Sequence, residues 1–438
     1  MEKQYISLLK KFVSFKSIST NPIYKPQIEE TVQWLKKTLS DGGLDVNLWE
    51  TEHVNPVIFA KYGNDPTKKT VLIYGHYDVQ PAEIEQGWKS DPFVLVERDG
   101  GLVARGVVDN KGQILIHMYT VMKLIKEKKL KYNIKFLIEG NEETGNVELA
   151  GLLKKYKEHL STDIILVSDG EVIGKHPVVE ESLRGGFNVN LHLKTGKNDL
   201  HSGLYGGAVP NALHELGRLT AAFYDDHNHI NIPEFYNGCD KITKEQQANN
   251  QSIPTTQKEL IQQSGVKKLI MEDGYDFYTQ VGLLPTIQVT GISGGYTGIG
   301  FANIVPCQAH AKINVRIAPT QDPQRIYRCL QRFIKKTLPS YVEYEIEIDG
   351  PHHPIKFDLS AEVYQNTKDV LSQVYGTKTL VKNVGGALPI LSEFREILGV
   401  ETISVSLGND DCNMHGPNEI FKKWHLEKGL LFSQQFFS

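Results

Sequence analysis

The sequence predicts an α/β protein in which a helix-flanked sheet domain is interrupted by an inserted α+β domain. Three observations predict it. Short apolar runs alternate with helical stretches up to about residue 184, and from Gly185 the pattern changes to residue-by-residue alternation. Past Pro351-His352-His353-Pro354 the first pattern returns. This divides the chain into 1–184, the first part of the sheet domain, 185–353, the insert, and 354–438, its second part. A length of 438 residues agrees, because single cores stop growing beyond roughly 250 to 300 residues.

The elements follow in order. Ile6, Leu9, Phe12 and Val13, then Ile28, Val32, Leu35 and Leu39, recur at helical spacing, and Gly42-Gly43 supplies a stop, so two amphipathic helices open the chain. The apolar runs at 57–60, 71–74, 134–138 and 164–167 read as buried strands, interleaved with helices near 112–127 and 147–159. Within the insert, 187–193, 311–317 and 342–348 alternate apolar with polar residues, as antiparallel strands with one wet face do. The polar stretch 225–268 has neither period, and its composition is compatible with an ordered or a mobile segment. A helix near 360–374 and an apolar run at 403–407 complete the sheet domain.

Composition narrows the function classes. Hydrophobic residues make up 40% of the chain, which suits a globular core, and 48 basic against 52 acidic side chains leave a net charge of only -4. No bulk field would draw nucleic acid or an anionic membrane, so neither is expected as a partner. No stretch approaches the ~20 apolar residues of a membrane span. The opening MEKQYISLLKKFVSF interrupts its apolar pattern with lysines, unlike a secretory leader. Cys239, Cys307, Cys329 and Cys412 form no CxxC pair, which fits a reducing compartment, and a cytoplasmic location is the expectation.

The apolar runs end in residues suited to metal work. The run at 71–74 leads to Gly75-His76-Tyr77-Asp78. Residues two apart on an extended chain face the same way, so His76 is a candidate ligand and Asp78 a partner that fixes its ring. Asp109-Asn110-Lys111-Gly112 precedes a helix, Asn141-Glu142-Glu143-Thr144-Gly145 follows the run at 134–138, and Asp169-Gly170 follows that at 164–167. Far downstream, Gly408 to Pro417 adds His415. Two histidines and three carboxylates suit two divalent ions sharing one carboxylate, which can hold a hydroxide between them and polarise a carbonyl for amide hydrolysis. A further carboxylate must move the proton, so Glu142 and Glu143 can divide base and ligand between them. Cys412 with His415 resembles half a zinc site, but no second cysteine pair completes it.

Gly75-His76-Tyr77-Asp78-Val79-Gln80-Pro81, Arg105 to Gly112, Glu139 to Gly145 and Asp169-Gly170 resemble, in order and spacing, the dizinc metallopeptidases that include carnosinase-like dipeptidases, aminoacylases and acetylornithine deacetylase. The resemblance implies that His76, Asp109 and Asp169 hold one metal, that Asp109, Glu143 and His415 hold the other, and that Glu142 is the general base. It also implies a cis peptide at Asp109-Asn110. Many members carry a second Asp where this chain has Asn110, a change that should keep the bridge and alter its support. Zinc is the expected metal, with manganese or cobalt as alternatives.

The same resemblance makes the insert a ferredoxin-like lid and dimerisation domain beside the catalytic sheet domain, and implies a homodimer. The segment Asn198 to Gly207 is similar to the family's lid motif, whose histidine, here His201, reaches across the dimer to the developing oxyanion. Arg316 would clamp a substrate carboxylate with Asn303 nearby. Gly385-Gly386-Ala387-Leu388-Pro389 stands where dipeptidases have a Gly-Gly-Ser-Ile-Pro-like loop, so backbone N–H groups at Gly386 and Ala387 would bind the anion without a hydroxyl. Asp rather than Glu at Asp169 is associated with members acting on free amino termini. The expected activity is therefore a metal-dependent dipeptidase cutting dipeptides or short peptides. An N-acyl amino-acid deacylase is the alternative, and a catalytically silent metal-binding protein the third reading. Gly294 to Gly300 is not a nucleotide loop, because Asn303 occupies the place of the last glycine.

Overall fold

Four parallel strands form the middle of the first sheet: β1 (Thr70–His76), β2 (Asn133–Glu139), β3 (Ile164–Val167) and β4 (Thr402–Ser406), in the spatial order β2-β1-β3-β4. Their register pairs Val71 with Ile134 and Ile164, and His76 with Glu139, so their C-terminal ends share one edge. Every residue of β3 and β4 is buried, which is why such strands read as unbroken apolar runs. Antiparallel strands Val57–Tyr62 and Asp45–Trp49 continue beyond β2, and Val178–Leu183 borders β4.

The computed structural model describes residues 3–438. These form two units: one comprises residues up to Glu181, Phe357–Val381 and Ile390–Ser438, the other Ser182–Lys356 and Lys382–Pro389. In the first unit the two opening helices stand as the periodicity predicts, α1 at Lys3–Val13 and α2 at Lys25–Asp41. Helix α3 (Lys111–Glu127) is buried on nearly every side through its first three turns, packed against β1 and the last helix, Lys423–Phe437. The expected helix near 147–159 is shorter, Leu149–Lys155, with hydrogen-bonded turns beyond it. A small sheet of Val96–Arg98, Gly101–Val103 and Ile420–Lys422 completes this unit.

The second unit is built on an antiparallel sheet whose strands lie in the order Thr286–Gly294, Gln308–Ile317, Gly185–Lys194, Glu343–His352. Helix Ala212–Ala221 follows the first strand in the chain and Pro323–Thr337 precedes the last. This βαββαβ path is the ferredoxin-like arrangement the sequence led us to expect. Alternate residues Phe187, Val189, Leu191 and Leu193 pack with Ala309, Ile313 and Val315 against Leu216, Leu219, Ile326 and Leu330 of the two helices. Their neighbours Asn188, Asn190 and Lys312 face water, so the period of two survives intact. The polar stretch 225–268 contains helices Lys244–Gln251 and Gln257–Ser264, each opened by a capping box, Thr243 with Gln246 and Thr256 with Glu259. Among the described residues, no helix is long and apolar enough to cross a membrane.

Candidate metal centre

The shared edge of the parallel strands gathers the candidate residues of the first unit. β1 ends at His76, which is fully buried, and the chain turns so that Nδ1 lies 3.1 Å from the Asp78 carbonyl oxygen and 3.3 Å from its carboxylate. That fixes one side of the ring and presents Nε2 to Asp109 at 3.1 Å and Asp169 at 3.7 Å. Asp109 stands just before α3, joined to Asn110 by a cis peptide as the resemblance implies. The turn is so tight that a Cβ on Gly112 would lie 1.8 Å from the Val107 carbonyl oxygen, so only glycine fits.

Asp109 is the centre of the arrangement. Its Oδ1 faces His76, while its Oδ2 lies 2.8 Å from Nε2 of His415, which is itself 3.4 Å from Glu143. Two groups result, His76 with Asp109 and Asp169, and Asp109 with Glu143 and His415. Within each, the donor atoms lie within 4.8 Å of one another. Asp109 is common to both, one oxygen toward each histidine. Glu142 opens the short turn Glu142–Thr144, with Oε2 4.0 Å from His76 Nε2.

Electrostatics test whether cations fit. Burial raises the carboxyl of Asp169 to about 7, helped by the neighbouring Asp109 charge, and raises Glu143 to about 7 for the same two reasons. Glu142 is pushed well above the ordinary carboxylate range, again by burial first, with Asp169, Asp109 and Glu143 adding to it against the His76 charge. Burial also acts to raise Asp109, but hydrogen bonds from His415 and His76 outweigh it and hold this carboxyl below its usual range. Burial presses His76 down, and its bonds to Asp109 and Asp78 reverse that and carry the imidazole well up. Several carboxylates are thus crowded where water cannot screen them, and protons offset part of their repulsion. Divalent ions on the same nitrogen and oxygen donors would offset it further, so the donor set fits them in number and in chemistry.

The supporting hydrogen bonds were only partly readable in the sequence. Asp78 accepts from the backbone N–H groups of Glu142 (3.3 Å) and Glu143 (3.2 Å) as well as facing His76, so it joins the two halves of the pocket. It also accepts from the Ser19 hydroxyl at 2.7 Å, a residue no spacing pointed to. Gln80 donates to Glu143 through its backbone (3.1 Å) and its side chain (2.7 Å). Extending the two-residue alternation from His76 and Asp78 by one step would have found it. The Asn110 amide donates to Asp169 at 2.8 Å and to the Ser168 carbonyl oxygen at 2.7 Å, a support that a second Asp could not give.

The other candidates belong to the second unit. His201 and Asn303 are exposed on a small ribbon in which Leu200–His201 pairs with Ile304–Val305, and Ser202 N–H donates to the Asn303 carbonyl oxygen at 2.8 Å. His201 Nδ1 accepts the Gly203 N–H at 3.0 Å, so in the neutral ring Nε2 carries the proton. Arg316 is half-buried and pairs across the sheet with Thr286 and Gly186, and Gly186 in turn pairs with His352. Arg184, which the motifs did not single out, donates to the carbonyl oxygens of Gly385 (2.9 Å) and Leu284 (3.1 Å), anchoring the loop that carries Gly386 and Ala387. Burial, and then the nearby Arg316, lower its guanidinium to about 10. His352 Nε2 is buried with no hydrogen-bond partner. No carboxylate pairs with either guanidinium among the described residues, so these groups leave room for an anion to supply the missing charge.

Comparison with known proteins adds four findings. The model of peptidase family M20/M25/M40 matches residues 72–438. The chain is 28% identical to Beta-Ala-His dipeptidase of Homo sapiens, over 100% of this chain and 90% of that protein. It is 27% identical to Cys-Gly metallodipeptidase DUG1 of Saccharomyces cerevisiae, over 96% of this chain and 92% of that one. Among solved structures, the M20 family metallo-carboxypeptidase Sso-CP2 from Sulfolobus solfataricus matches with a TM-score of 0.88 at 30% identity, covering 100% of this chain and 98% of that one.

Proposed function

The chain belongs to peptidase family M20/M25/M40 and is a peptide-bond hydrolase, and from that premise we propose that it is a metal-dependent dipeptidase acting on unblocked dipeptides. The observation that carries the reading is the pair of donor groups sharing Asp109, with the protonatable Glu142 beside them. His76, Asp109 and Asp169 would hold one divalent ion and Asp109, Glu143 and His415 the other. Zinc is the first choice, because imidazole and carboxylate donors suit it, with manganese or cobalt able to use the same groups. Such ions supply Lewis-acid polarisation of a carbonyl and make water a better nucleophile at neutral pH.

The residues divide the remaining work. Glu142, whose hold on a proton is strengthened first by burial, accepts a proton from the attacking water and returns it to the leaving amine. Asp78 keeps the His76 ring and the Glu142–Glu143 turn in register. Arg316 takes the substrate's carboxylate, which the absence of an acidic partner among the described residues supports, with Asn303 and the backbone at Gly386 and Ala387 adding polar contacts. The partner subunit's His201 donates to the carbonyl oxygen as it turns negative. The homodimer this requires is supported by strongly exposed apolar side chains in the segments that flank the ribbon in the chain, among them Leu204, Ile299 and Phe301. All four cysteines remain thiols, in keeping with a cytoplasmic setting.

The decisive experiment compares unblocked dipeptides with their N-acetyl amino-acid counterparts, using metal-loaded and chelated protein. Metal-dependent cleavage of the unblocked set is expected. Turnover confined to acylated substrates would make the protein a deacylase, and silence on both would leave a metal-binding role. For the dimer, mixing His201→Ala with Glu142→Ala protein should restore activity as subunits exchange. Demonstrated exchange without recovery would refute catalysis across subunits.

A further inference from the structure

Arg105 and Glu419 have no part in the chemistry described so far. Glu419 is fully buried and its carboxylate accepts four hydrogen bonds. Oε2 takes Arg105 Nη1 and the Gly106 N–H, both at 2.9 Å, and Oε1 takes the N–H groups of Val108 (2.8 Å) and Asp109 (3.1 Å). Arg105 extends its other arm to the carbonyl oxygens of His415 (3.0 Å) and Gly416 (3.2 Å), and its guanidinium lies 5.4 Å from the Trp88 ring. One ion pair therefore grips the backbone of Asp109 with one end and the backbone of His415 with the other.

Those two segments are more than 300 positions apart in the chain, yet the Asp109 and His415 side chains must meet at 2.8 Å. Within the turn carrying His415 the Gly416 N–H donates to the Asn413 carbonyl oxygen at 2.8 Å, and contacts from outside fix the rest. Asn413, His415 and Asn418 have φ of 54°, 60° and 60°, left-handed values that are uncommon outside glycine and that asparagine and histidine adopt more readily than most residues. At His415 the Arg105 bonds to the carbonyl oxygens hold that conformation. At the far end of the turn, Asn418 does so by accepting from Lys89 N–H (2.9 Å) and Arg98 (2.8 Å) and donating to the Gly87 carbonyl oxygen (3.0 Å). The Asn418 contacts touch no candidate ligand, whereas the Arg105 and Glu419 contacts touch two.

We propose that Arg105 and Glu419 are positioning residues that set the separation of Asp109 and His415 and so tune metal affinity. This rests on the reading of those two residues as ligands. A charged pair suits the task because Glu419 gives the consecutive N–H groups at the Asp109 turn acceptors that an apolar core could not.

The test measures zinc stoichiometry and affinity, by elemental analysis and chelator competition, on full-length wild type and on Arg105→Lys, Glu419→Gln and Asn418→Ala, each with a thermal melt. Arg105→Lys keeps the charge beside Glu419 but loses the second arm, so one of the two zinc equivalents should bind roughly 10- to 100-fold more weakly, the scale seen when a ligand's supporting partner is removed. Glu419→Gln should weaken both equivalents, because Asp109 is shared. Should it fail to fold, Arg105→Lys decides alone. Asn418→Ala should melt earlier yet retain both equivalents. Wild-type affinity in folded Arg105→Lys, or an equal loss in Asn418→Ala, would overturn the proposal while leaving the metal reading intact. A wild-type chain that takes up no divalent ion would sink both.

Discussion

In the first unit Asp109 is 6% exposed and both of its oxygens have histidine partners, whereas in the second unit His201 and Asn303 lie open on a two-stranded ribbon and Arg316 pairs with no carboxylate among the described residues. The contrast follows from what each set must do. A carboxylate that holds a cation loses affinity when it wanders, so the pocket ties every candidate ligand to a hydrogen-bond partner. A group that meets a substrate does the opposite and leaves a donor unpaired for the incoming molecule to satisfy. Burial shifts the proton affinities of the first set's carboxyls, although His415 itself is exposed on its turn.

The widest test of this contrast is Glu142→Ala, which should retain metal and lose something like 10²- to 10⁴-fold in kcat, the usual worth of a placed acid-base group. Normal turnover with metal bound would remove Glu142 from the chemistry. Next, Arg316→Ala should lower kcat/KM about 10- to 100-fold, mainly through KM, on the scale of a lost charge-assisted pair. C-terminally amidated dipeptides should feel it far less, and an equal effect on both would dismiss the clamp.

A third prediction uses pH. In the metal-free protein Asp169 and Glu143 sit near 7, above the ordinary values of 3.8 and 4.5, so between about 4 and 7 the folded state binds more protons than the unfolded one. Their contribution to metal-free stability is therefore present at low pH and lost as pH rises through 7. Metal loading should run the other way, improving as the same carboxyls ionise. Melts of chelated and loaded protein across this range should diverge with rising pH, and parallel curves would contradict the crowding argument. Smallest of all, Gln80→Leu removes one of two donors on Glu143 and leaves the backbone bond, so metal affinity should fall only about tenfold. A complete loss of metal would make Gln80 far more important than its geometry warrants.

The strands that carry the pocket were legible because they are buried on both faces and end abruptly in His76, Glu139 and Asp169, where an apolar run meets polar residues. The second sheet was legible because only one face is wet, so Phe187 to Leu193 alternates. Less could be read where stability comes from distant partners. The strand at Ile420–Lys422 is short and pairs with Gly101–Val103 from far upstream, with no period long enough to announce it. Helices Lys244–Gln251 and Gln257–Ser264 lack an apolar stripe, and their capping boxes were the sole signal present in the sequence. Within the site, residue types and order suggested the candidate ligands, but not the bond from Ser19 to Asp78 or the contacts of Arg105 and Glu419, since these partners lie far apart in the chain and leave no spacing rule behind.

The segment Lys382–Pro389 groups with the second unit although it lies beyond that unit's main stretch, Ser182–Lys356. Asn383 accepts from the Ser182 hydroxyl at 2.6 Å, and Gly385 supplies the carbonyl oxygen that Arg184 grips. Genetic dissection is constrained accordingly. A gene fragment cut at positions 182 and 356 encodes a torso without one of its own struts, so anyone wishing to transplant or express this module alone must graft that late peptide back on, through a linker or as a separate strand added in trans.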